Sequence, residues 1–308
     1  MRSSPTIPFI AHHPLFMHPL PEGHRFPMLK YELLPEQLLL ENVVSKNDFF
    51  SPEIVDRKYI EGVHQTEYID KLLSLSLNRQ EIRRIGFPLS SALIERELRI
   101  AQGSIDAAEA ALRRGIGFNI AGGTHHAGTD WGEGFCLLND QAIAAGYLLR
   151  QTRVQKILII DLDVHQGNGT ADIFKDNPAV FTFSMHGQNN FPFKKEKSDW
   201  DIGLTDGISG ADYLTILADA LERLFSLVQP EFIFFQAGVD VLSSDKMGKL
   251  KLSIEDCRQR DIMVFEFCRQ HHLPVQVSMG GGYSPRIKNI IDAHCHTYKE
   301  GISRLLHS

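Results

Sequence analysis

Five apolar segments of the chain have the length and composition of strands in a sheet that is covered on both faces. The clearest is the unbroken run Ile-Leu-Ile-Ile at residues 157–160. Such runs are typical of parallel strands, whose two faces are both buried. The hydrophobic pattern predicts the remaining strands at residues 117–121, 180–185, 231–236 and 275–279.

Between these strands, apolar residues recur at the spacing of an α-helix. The pattern predicts helices at residues 31–42, 52–77, 92–114, 141–149, 211–228 and 253–271. The second of these is broken near Tyr59, and residues 79–91 are interpreted as a polar segment followed by a turn. Alternation of strands and helices predicts an α/β fold, a mainly parallel sheet with helices on both faces. No internal repeat or low-complexity linker divides the chain, so we expect a single domain over residues 1–308.

Composition narrows the classes of function. The 32 basic and 38 acidic residues give a formal net charge of −6 without a long basic block, which argues against direct binding of nucleic acid. A basic peptide substrate remains compatible with this charge. The N-terminus lacks the apolar segment of a signal peptide and no run has the length of a membrane span, so we expect a cytoplasmic location. The four cysteines are too widely spaced for a disulfide framework and are expected to be reduced and mostly buried.

Acidic and imidazole side chains follow the central apolar run directly. Asp161, Asp163 and His165 alternate with Leu162 and Val164, so a backbone still extended there would direct all three polar groups to one side. Charge on a buried strand requires an opposite charge or a metal, and two carboxylates with one imidazole suit a divalent ion such as zinc. An ordinary strand end with a solvated, Asp-rich turn is the alternative interpretation of this stretch.

Three other predicted strands also end in loops with chemically active side chains. These side chains are the tandem His125 and His126, then Asp240, then Tyr283. In open parallel α/β sheets, ligands bind outside the carboxyl ends of the strands. We therefore expect the four residues to lie beside the acidic and imidazole groups that follow the central strand.

Asp163, His165 and Asp240 would together offer two oxygens and one nitrogen, with positions left for water and substrate, as in a catalytic zinc site. Each loop also has a simpler interpretation. An Asp after a strand often caps a helix, paired histidines often belong to a polar loop, and a glycine-rich turn often serves only the backbone. Their joint occurrence favours the metal site.

The motifs resemble, in combination, those of one protein family. GGTHHA, GFCLLND, IIDLDVHQGNGT, QAGVD and GGGY, which lie between Gly117 and Tyr283, resemble the motifs of the zinc-dependent histone deacetylase superfamily, which has the arginase-deacetylase fold. The GGTHHA turn without proline, Gln166, Asn168 and the compact length are most similar to class IV members and their bacterial relatives. The resemblance implies an eight-stranded parallel sheet and hydrolysis of N-acyl-lysine amides.

The resemblance also implies a role for each candidate residue. Asp163, His165 and Asp240 would be the zinc ligands. His126 would be the main general base and would then protonate the leaving lysine amine, while His125 would act as a hydrogen-bonding and electrostatic partner.

Three further residues would support this chemistry. The hydroxyl of Tyr283 would donate to the developing oxyanion. Asp161 should hold His125 by its second ring nitrogen, and Asn168 should hold His126 in the same way. A neutral amide orients an imidazole but does little to stabilise its cation, so we expect His126 to have a lower pKa than a counterpart paired with Asp.

The acyl-lysine channel and a second cation are also implied by the resemblance. Substrate-binding positions are expected at Gly134, Phe135, Phe191 and Gly281. A potassium ion is expected beneath the site, at Asp161 and Ser184. The small side chains of residues 121–124 favour a pocket that accepts long acyl groups as well as acetyl. The alternative is that these glycines serve only tight turns and close backbone approach.

Three other functions compete with a lysine deacylase. An arginase-like hydrolase with two manganese ions would need a second carboxylate two residues after the ligand histidine, where this chain has Gly167. An acetylpolyamine or other small-amide hydrolase would use the same catalytic residues and differ at the rim. A silent acyl-lysine reader would retain the pocket, but the intact catalytic set argues against it. The expected partner is an acyl-lysine protein or peptide, and the oligomeric state stays open.

Overall fold

A computed structural model, which describes residues 10–306, contains one sheet of eight strands. The strands are β1 (Ile10–Ala11), β2 (Phe49–Phe50), β3 (Ile116–Asn119), β4 (Ile157–Asp161), β5 (Val180–Gly187), β6 (Trp200–Leu204), β7 (Phe232–Gln236) and β8 (Val275–Ser278). Their order is β2-β1-β3-β8-β7-β4-β5-β6, and every adjacent pair is parallel. The predicted α/β fold with a parallel sheet is confirmed.

Ten α-helices accompany the sheet in the described part of the chain. They are α1 (Lys30–Leu40), α2 (Arg57–Ile60), α3 (Thr66–Leu73), α4 (Arg79–Ile85), α5 (Ser91–Arg114), α6 (Asp140–Arg150), α7 (Asn168–Phe174), α8 (Gly210–Val228), α9 (Ile254–Gln270) and α10 (Ile287–Leu305). Helix α5 packs on β3, β8 and α6, whereas α10 packs on α9, α1 and β3. Both faces of the sheet are therefore covered by helices.

The central strands are buried along their whole length. Every residue of β4 (ILIID) and of β7 (FIFFQ) is buried, as the unbroken apolar run of β4 predicts. Burial of one such side chain contributes roughly 1.5–3 kcal/mol, so these strands anchor the core. The loops that follow their carboxyl ends consequently start from rigid positions.

The hydrophobic pattern does not reveal three of the strands. Strands β1 and β2 contain two residues each, which is too short for a period to appear. Strand β6 lies at the edge of the sheet and is partly exposed, so its sequence WDIGL lacks a buried run. Helix α10 also lies beyond the predicted elements, and the predicted helix at 52–77 is two helices, α2 and α3.

Helix α4 corrects the expectation of a polar, turn-forming segment at residues 79–91. The side chain of Asn78 accepts hydrogen bonds from the backbone N–H groups of Gln80 and Glu81 (2.8 and 3.0 Å), and the Glu81 carboxylate accepts from the Asn78 N–H (2.6 Å). This reciprocal capping box starts the helix. Gly86, at φ +87°, ends it in the left-handed conformation.

None of the helices within residues 10–306 combines the length and hydropathy needed to cross a bilayer. The expectation about a signal peptide concerns in part residues 1–9, which lie outside the described residues. All four cysteines are free and buried.

Candidate active site

The polar loops of the chain meet at one edge of the sheet. The adjacent strands β3, β8, β7 and β4 all run in the same direction. The loop after β3 carries the tandem histidines, the loop after β8 carries Tyr283, and the loop after β7 carries Asp240. The carboxyl ends of these strands therefore form one site, as the rule for parallel sheets requires.

Asp163, His165 and Asp240 form a buried cluster whose ligand atoms all lie within 4.8 Å of one another. The Nδ1 atom of His165 lies 3.1 Å from both Asp163 Oδ1 and Asp240 Oδ2. Among residues 10–306, this is the one group of three or more such side chains with the spacing of metal ligands. The donor set of two carboxylates and one imidazole suits a catalytic divalent ion.

The cluster fits a metal ion on a second observation. The Oδ2 atom of Asp240 is buried and has no hydrogen-bond donor, because its short separation from His165 lacks hydrogen-bond geometry. Such an oxygen costs free energy unless a cation satisfies it. Two other oxygens of the cluster accept hydrogen bonds from backbone N–H groups. The Val164 N–H donates to Asp240 Oδ1 (3.0 Å), and the Gly281 N–H donates to Asp163 Oδ2 (2.8 Å).

The tandem histidines have different partners. The Nδ1–H of His125 donates to Asp161 Oδ2 at 2.7 Å, and Nδ1 of His126 lies 2.7 Å from Asn168 Oδ1. The two rings lie side by side, with centroids 4.1 Å apart. One imidazole is therefore paired with a carboxylate and the other with a neutral amide.

These partners push the two imidazole pKa values apart. Burial opposes protonation of His125, but the carboxylates of Asp161 and Asp163 outweigh it and raise its pKa to about 9. Burial lowers the pKa of His126 well below its ordinary value, and the charges of His125 and His165 lower it further. Of the two tandem rings, His126 is therefore the one that stays neutral, and a neutral ring suits a general base.

Gly134, Phe135 and Phe191 lie beside His126 or Tyr283. The Phe191 and His126 ring centroids are 5.0 Å apart, and a Cβ atom on Gly134, whose φ is +57°, would lie 2.8 Å from the His126 ring. Phe135 is 7% exposed, and its ring centroid lies 6.1 Å from that of Tyr283. The structure thus places the residues expected to wall the channel around His126 and Tyr283.

Tyr283 is positioned through its backbone. Its N–H donates to Asp245 Oδ2 at 2.6 Å, and its ring centroid lies 6.3 Å from that of His165. Burial raises the pKa of the Tyr283 phenol well above its ordinary value, and the negative charges of Asp240 and Asp163 raise it further. The hydroxyl therefore stays protonated and can donate a hydrogen bond.

The cavity at this site is small. Its volume is about 30 Å³, and its wall includes Phe26, Phe87, Phe135, Tyr283 and residues 121–126. That volume is well below the roughly 300–1,000 Å³ that is typical of ligand pockets.

Residues 121–124, whose small side chains favour a pocket for long acyl groups, line this cavity, and its small volume does not support that expectation. A Cβ atom on Gly122 would lie 2.5 Å from Asp140 Oδ2 and 2.6 Å from Ser278 Oγ, and one on Gly123 would lie 2.6 Å from Gln236 Oε1. These glycines permit close approach of the backbone to buried neighbours, which is the alternative interpretation of the small side chains.

Asp161 and Ser184, the residues expected to hold potassium, are partners in the register of β4 and β5 and are both buried. Asp161 Oδ1 accepts a hydrogen bond from the Asp163 N–H (3.1 Å), and Ser184 Oγ lies 2.9 Å from His186 Nδ1. The pair offers oxygen donors, which suit a hard monovalent cation.

A profile of the histone deacetylase domain matches residues 24–298 of this chain. The chain belongs to the histone deacetylase family. It is 43% identical over 285 residues to an uncharacterized protein of Picosynechococcus sp. The aligned region covers 92% of this chain and 95% of that protein. It is 28% identical to histone deacetylase 2 of Arabidopsis thaliana over 87% of this chain and 72% of that one. The crystal structure of a histone deacetylase homolog from Aquifex aeolicus has the same fold, with a TM-score of 0.83, 24% identity and coverage of 96% of this chain and 84% of that one.

Lys30 is a residue of this histone deacetylase family site that the sequence patterns do not reveal. Its side chain is fully buried. The Nζ atom donates to the carbonyl of Gly280 (3.0 Å) and lies 5.6 Å from the centroid of the Tyr283 ring. Burial lowers its pKa to about 8, against the opposing charges of Asp240 and Asp163. The sequence signal that could have indicated a buried lysine is its position on the apolar face of α1, beside Tyr31 and Leu34.

The end of helix α4 holds the backbone of Gly134 and Phe135 by hydrogen bonds. The N–H groups of Gly134 and Phe135 donate to the carbonyls of Arg84 (3.2 Å) and Ile85 (2.7 Å). Phe135 has a φ of +70°, which is unfavourable for a residue with a side chain, so these bonds hold it in place. The positions of Gly134 and Phe135 in this histone deacetylase domain therefore depend on the end of α4.

His64 holds the loop that follows the tandem histidines of this family member. Its Nδ1–H donates to the Gly128 carbonyl (2.8 Å), and its Nε2 accepts from the Asn139 N–H (3.0 Å). Both bonds together require a neutral ring. Burial lowers the pKa of His64 to about 4.

We expect His64 to make stability depend on pH. Because the folded pKa lies below the unfolded value of 6.5, its stabilisation is complete above pH 6.5 and is lost as the pH falls toward 4. The loss at pH 5.0 is about 2 kcal/mol. Urea unfolding at pH 7.5 and 5.0 should show a smaller drop for His64→Gln, which takes up no proton, than for the wild type. Equal drops would contradict this assignment.

Proposed function

We propose that this protein hydrolyses N-acyl-lysine amides in proteins or peptides, using one zinc ion held by Asp163, His165 and Asp240. The observation that carries this proposal is the buried cluster with its unsatisfied Asp240 oxygen, adjacent to the tandem histidines, one held by a carboxylate and the other by a neutral amide. The eight strands form one sheet, which supports a single catalytic domain.

A single ion is favoured over the two manganese ions of an arginase-like enzyme. A side chain at Gly167 would place its Cβ 2.3 Å from Asp161 Oδ2 and 3.2 Å from His125 Nδ1. No second carboxylate ligand fits at that position. When bound, the zinc ion supplies polarisation of the acyl carbonyl and a lowered pKa of the attacking water.

The protein's own groups would move the protons. Neutral His126 accepts a proton from the attacking water and then delivers it to the lysine amine as the amide C–N bond breaks. His125, held by Asp161, stays protonated and stabilises negative charge nearby. Tyr283 donates a hydrogen bond to the oxyanion as it forms. Asn168 keeps His126 oriented during both transfers.

The substrate's lysine stem would lie between Gly134 and Phe135 on one side and Phe191 on the other, with Gly281 beneath. The aromatic walls and the small cavity suit a thin aliphatic chain that ends in a planar amide. We also propose potassium at Asp161 and Ser184, because their buried oxygens lie on neighbouring strands.

The proposal is tested by acetate release from zinc-reconstituted protein. An acetyl-lysine peptide and an N-acetylated polyamine are compared at matched concentrations, and kcat/KM is measured for each. We expect the peptide to be the better substrate. Preference for the polyamine would identify a small-amide hydrolase, and saturable peptide binding without turnover would identify a reader.

We expect the length of the acyl group to have a strong effect on kcat/KM. The cavity of about 30 Å³ accepts an acetyl methyl, but an octanoyl chain would have to displace the rings of Phe26, Phe87 or Phe135. Overpacking of this kind typically costs 1–3 kcal/mol, so we expect kcat/KM to fall by at least about tenfold from acetyl to octanoyl in one peptide. A higher efficiency with octanoyl would contradict the closed pocket.

A further inference from the structure

We infer that Glu133 and Arg84 form a positioning relay that orients the amide of Asn168 and thereby fixes which nitrogen of His126 carries the proton. The catalytic consequence of this relay rests on the proposed function, whereas its effect on the His126 ring does not. Glu133 and Arg84 are thus assigned as positioning residues that act through Asn168.

The relay is a continuous chain of hydrogen bonds from the site to the surface. Asn168 Oδ1 lies 2.7 Å from His126 Nδ1, and Asn168 Nδ2 donates to Glu133 Oε1 at 2.7 Å. The other oxygen of Glu133 accepts from Arg84 Nε at 2.6 Å. Asn168 and Glu133 are 3% and 9% exposed, whereas the Arg84 side chain is 45% exposed and its guanidinium lies 4.4 Å from the centroid of the Trp131 ring.

Hydrogen-bond chemistry allows one order of donors along this chain. The Glu133 carboxylate only accepts, so the NH₂ group of Asn168 must face it. The carbonyl oxygen of Asn168 must then face His126, and because that oxygen also only accepts, the proton of neutral His126 must be on Nδ1. Nε2 keeps its lone pair, which is the form that can accept a proton from water.

Glu133 also places a negative charge behind the neutral amide. Asn168 alone could present either end to His126, since an unrestrained amide can flip. Arg84 occupies one oxygen of Glu133 and leaves the other for Asn168. A purely structural role for the Arg84 and Glu133 pair is the alternative, but the loop already has two backbone hydrogen bonds to α4, from Gly134 and Phe135.

A charge swap separates the two possibilities. Asn168→Asp alone places two carboxylates 2.7 Å apart, where they repel each other unless one takes up a proton, so we expect kcat to fall by about tenfold or more at neutral and higher pH. Adding Glu133→Gln restores a donor, because the new amide can donate to the new carboxylate, which still accepts from His126 Nδ1. We expect the double variant to recover to within about threefold of the wild type. Arg84→Met removes the donor that occupies the second oxygen of Glu133, so we expect kcat to fall, by less than in Asn168→Asp.

The relay is tested directly by ¹⁵N NMR of histidine-labelled, zinc-loaded protein, with His126 assigned by the resonances missing in His126→Ala. We expect the Nδ1–H tautomer in the wild type and in the double variant, and a substantial Nε2–H population in Glu133→Ala. Matching thermal unfolding transitions serve as the control for folding, and Glu133→Leu, which fills more of the space and has no acceptor for Asn168, replaces Glu133→Ala if the latter is unfolded.

Persistence of the Nδ1–H tautomer in the folded Glu133 variant, or failure of the double variant to recover kcat, would overturn the relay. The expected tautomers without turnover of any acyl-lysine peptide would overturn the proposed function and leave the relay standing.

Discussion

Alanine in place of Asp240 is expected to remove the bound zinc and abolish turnover. Asp240 supplies one of the two carboxylates of the cluster, and its buried Oδ2 has no hydrogen-bond partner among the described residues. Loss of a residue that only supports a ligand typically lowers metal affinity 10- to 100-fold, so we expect a drop of at least ~100-fold for the ligand itself. Zinc content after dialysis, measured by mass spectrometry, checks this result.

Asp240→Asn is the matched control for Asp240→Ala. The amide keeps an oxygen that can accept from the Val164 N–H, a bond of 3.0 Å, and so preserves the local backbone while it removes the negative charge. We expect this variant to fold like the wild type and still to lose most of its zinc. Full zinc occupancy together with full activity in either variant would refute the assignment of Asp240 as a ligand.

Tyr283→Phe is expected to lower kcat by ~100- to 1,000-fold, the usual cost of removing one oxyanion donor. The change removes only the hydroxyl, so the ring contacts with Phe26 and Phe135, at centroid distances of 5.9 and 6.1 Å, are retained. Zinc content should be unchanged. Steady-state kinetics on an acetyl-lysine peptide, with metal analysis of the same sample, measures both quantities.

Tyr298→Phe provides a control with the same chemical change elsewhere. The Tyr298 hydroxyl is buried and has no hydrogen-bond partner among the described residues, and its ring stacks on Phe118 at 4.4 Å. We expect its removal to leave kcat near the wild-type value. Near-native turnover of Tyr283→Phe, or an equal loss in both variants, would contradict the oxyanion role.

The sequence predicts the centre of this fold well because the centre depends on local patterns. The apolar runs of β4 and β7 are visible as uninterrupted segments, and the residues that follow each strand are brought to one edge by the parallel topology. The two-residue strands β1 and β2 have no such pattern and depend on pairing with distant segments.

Contacts between distant residues explain what the sequence does not predict at the site. Lys30 contacts Gly280, which is 250 positions away, and Glu133 contacts Asn168 across 35 positions. Neither contact produces a periodic pattern in the sequence. Gly122 and Gly123 illustrate the opposite case, because small residues suggest space in a sequence, whereas in the structure buried polar neighbours lie where a side chain at these positions would extend.

The most direct test of the central claim is a zinc titration of metal-free protein, followed by acetate release from an acetyl-lysine peptide. One buried cluster of three ligands predicts that activity rises linearly and saturates at one zinc per chain. Saturation at two metal ions per chain, or no acetate release at full zinc occupancy, would contradict the account.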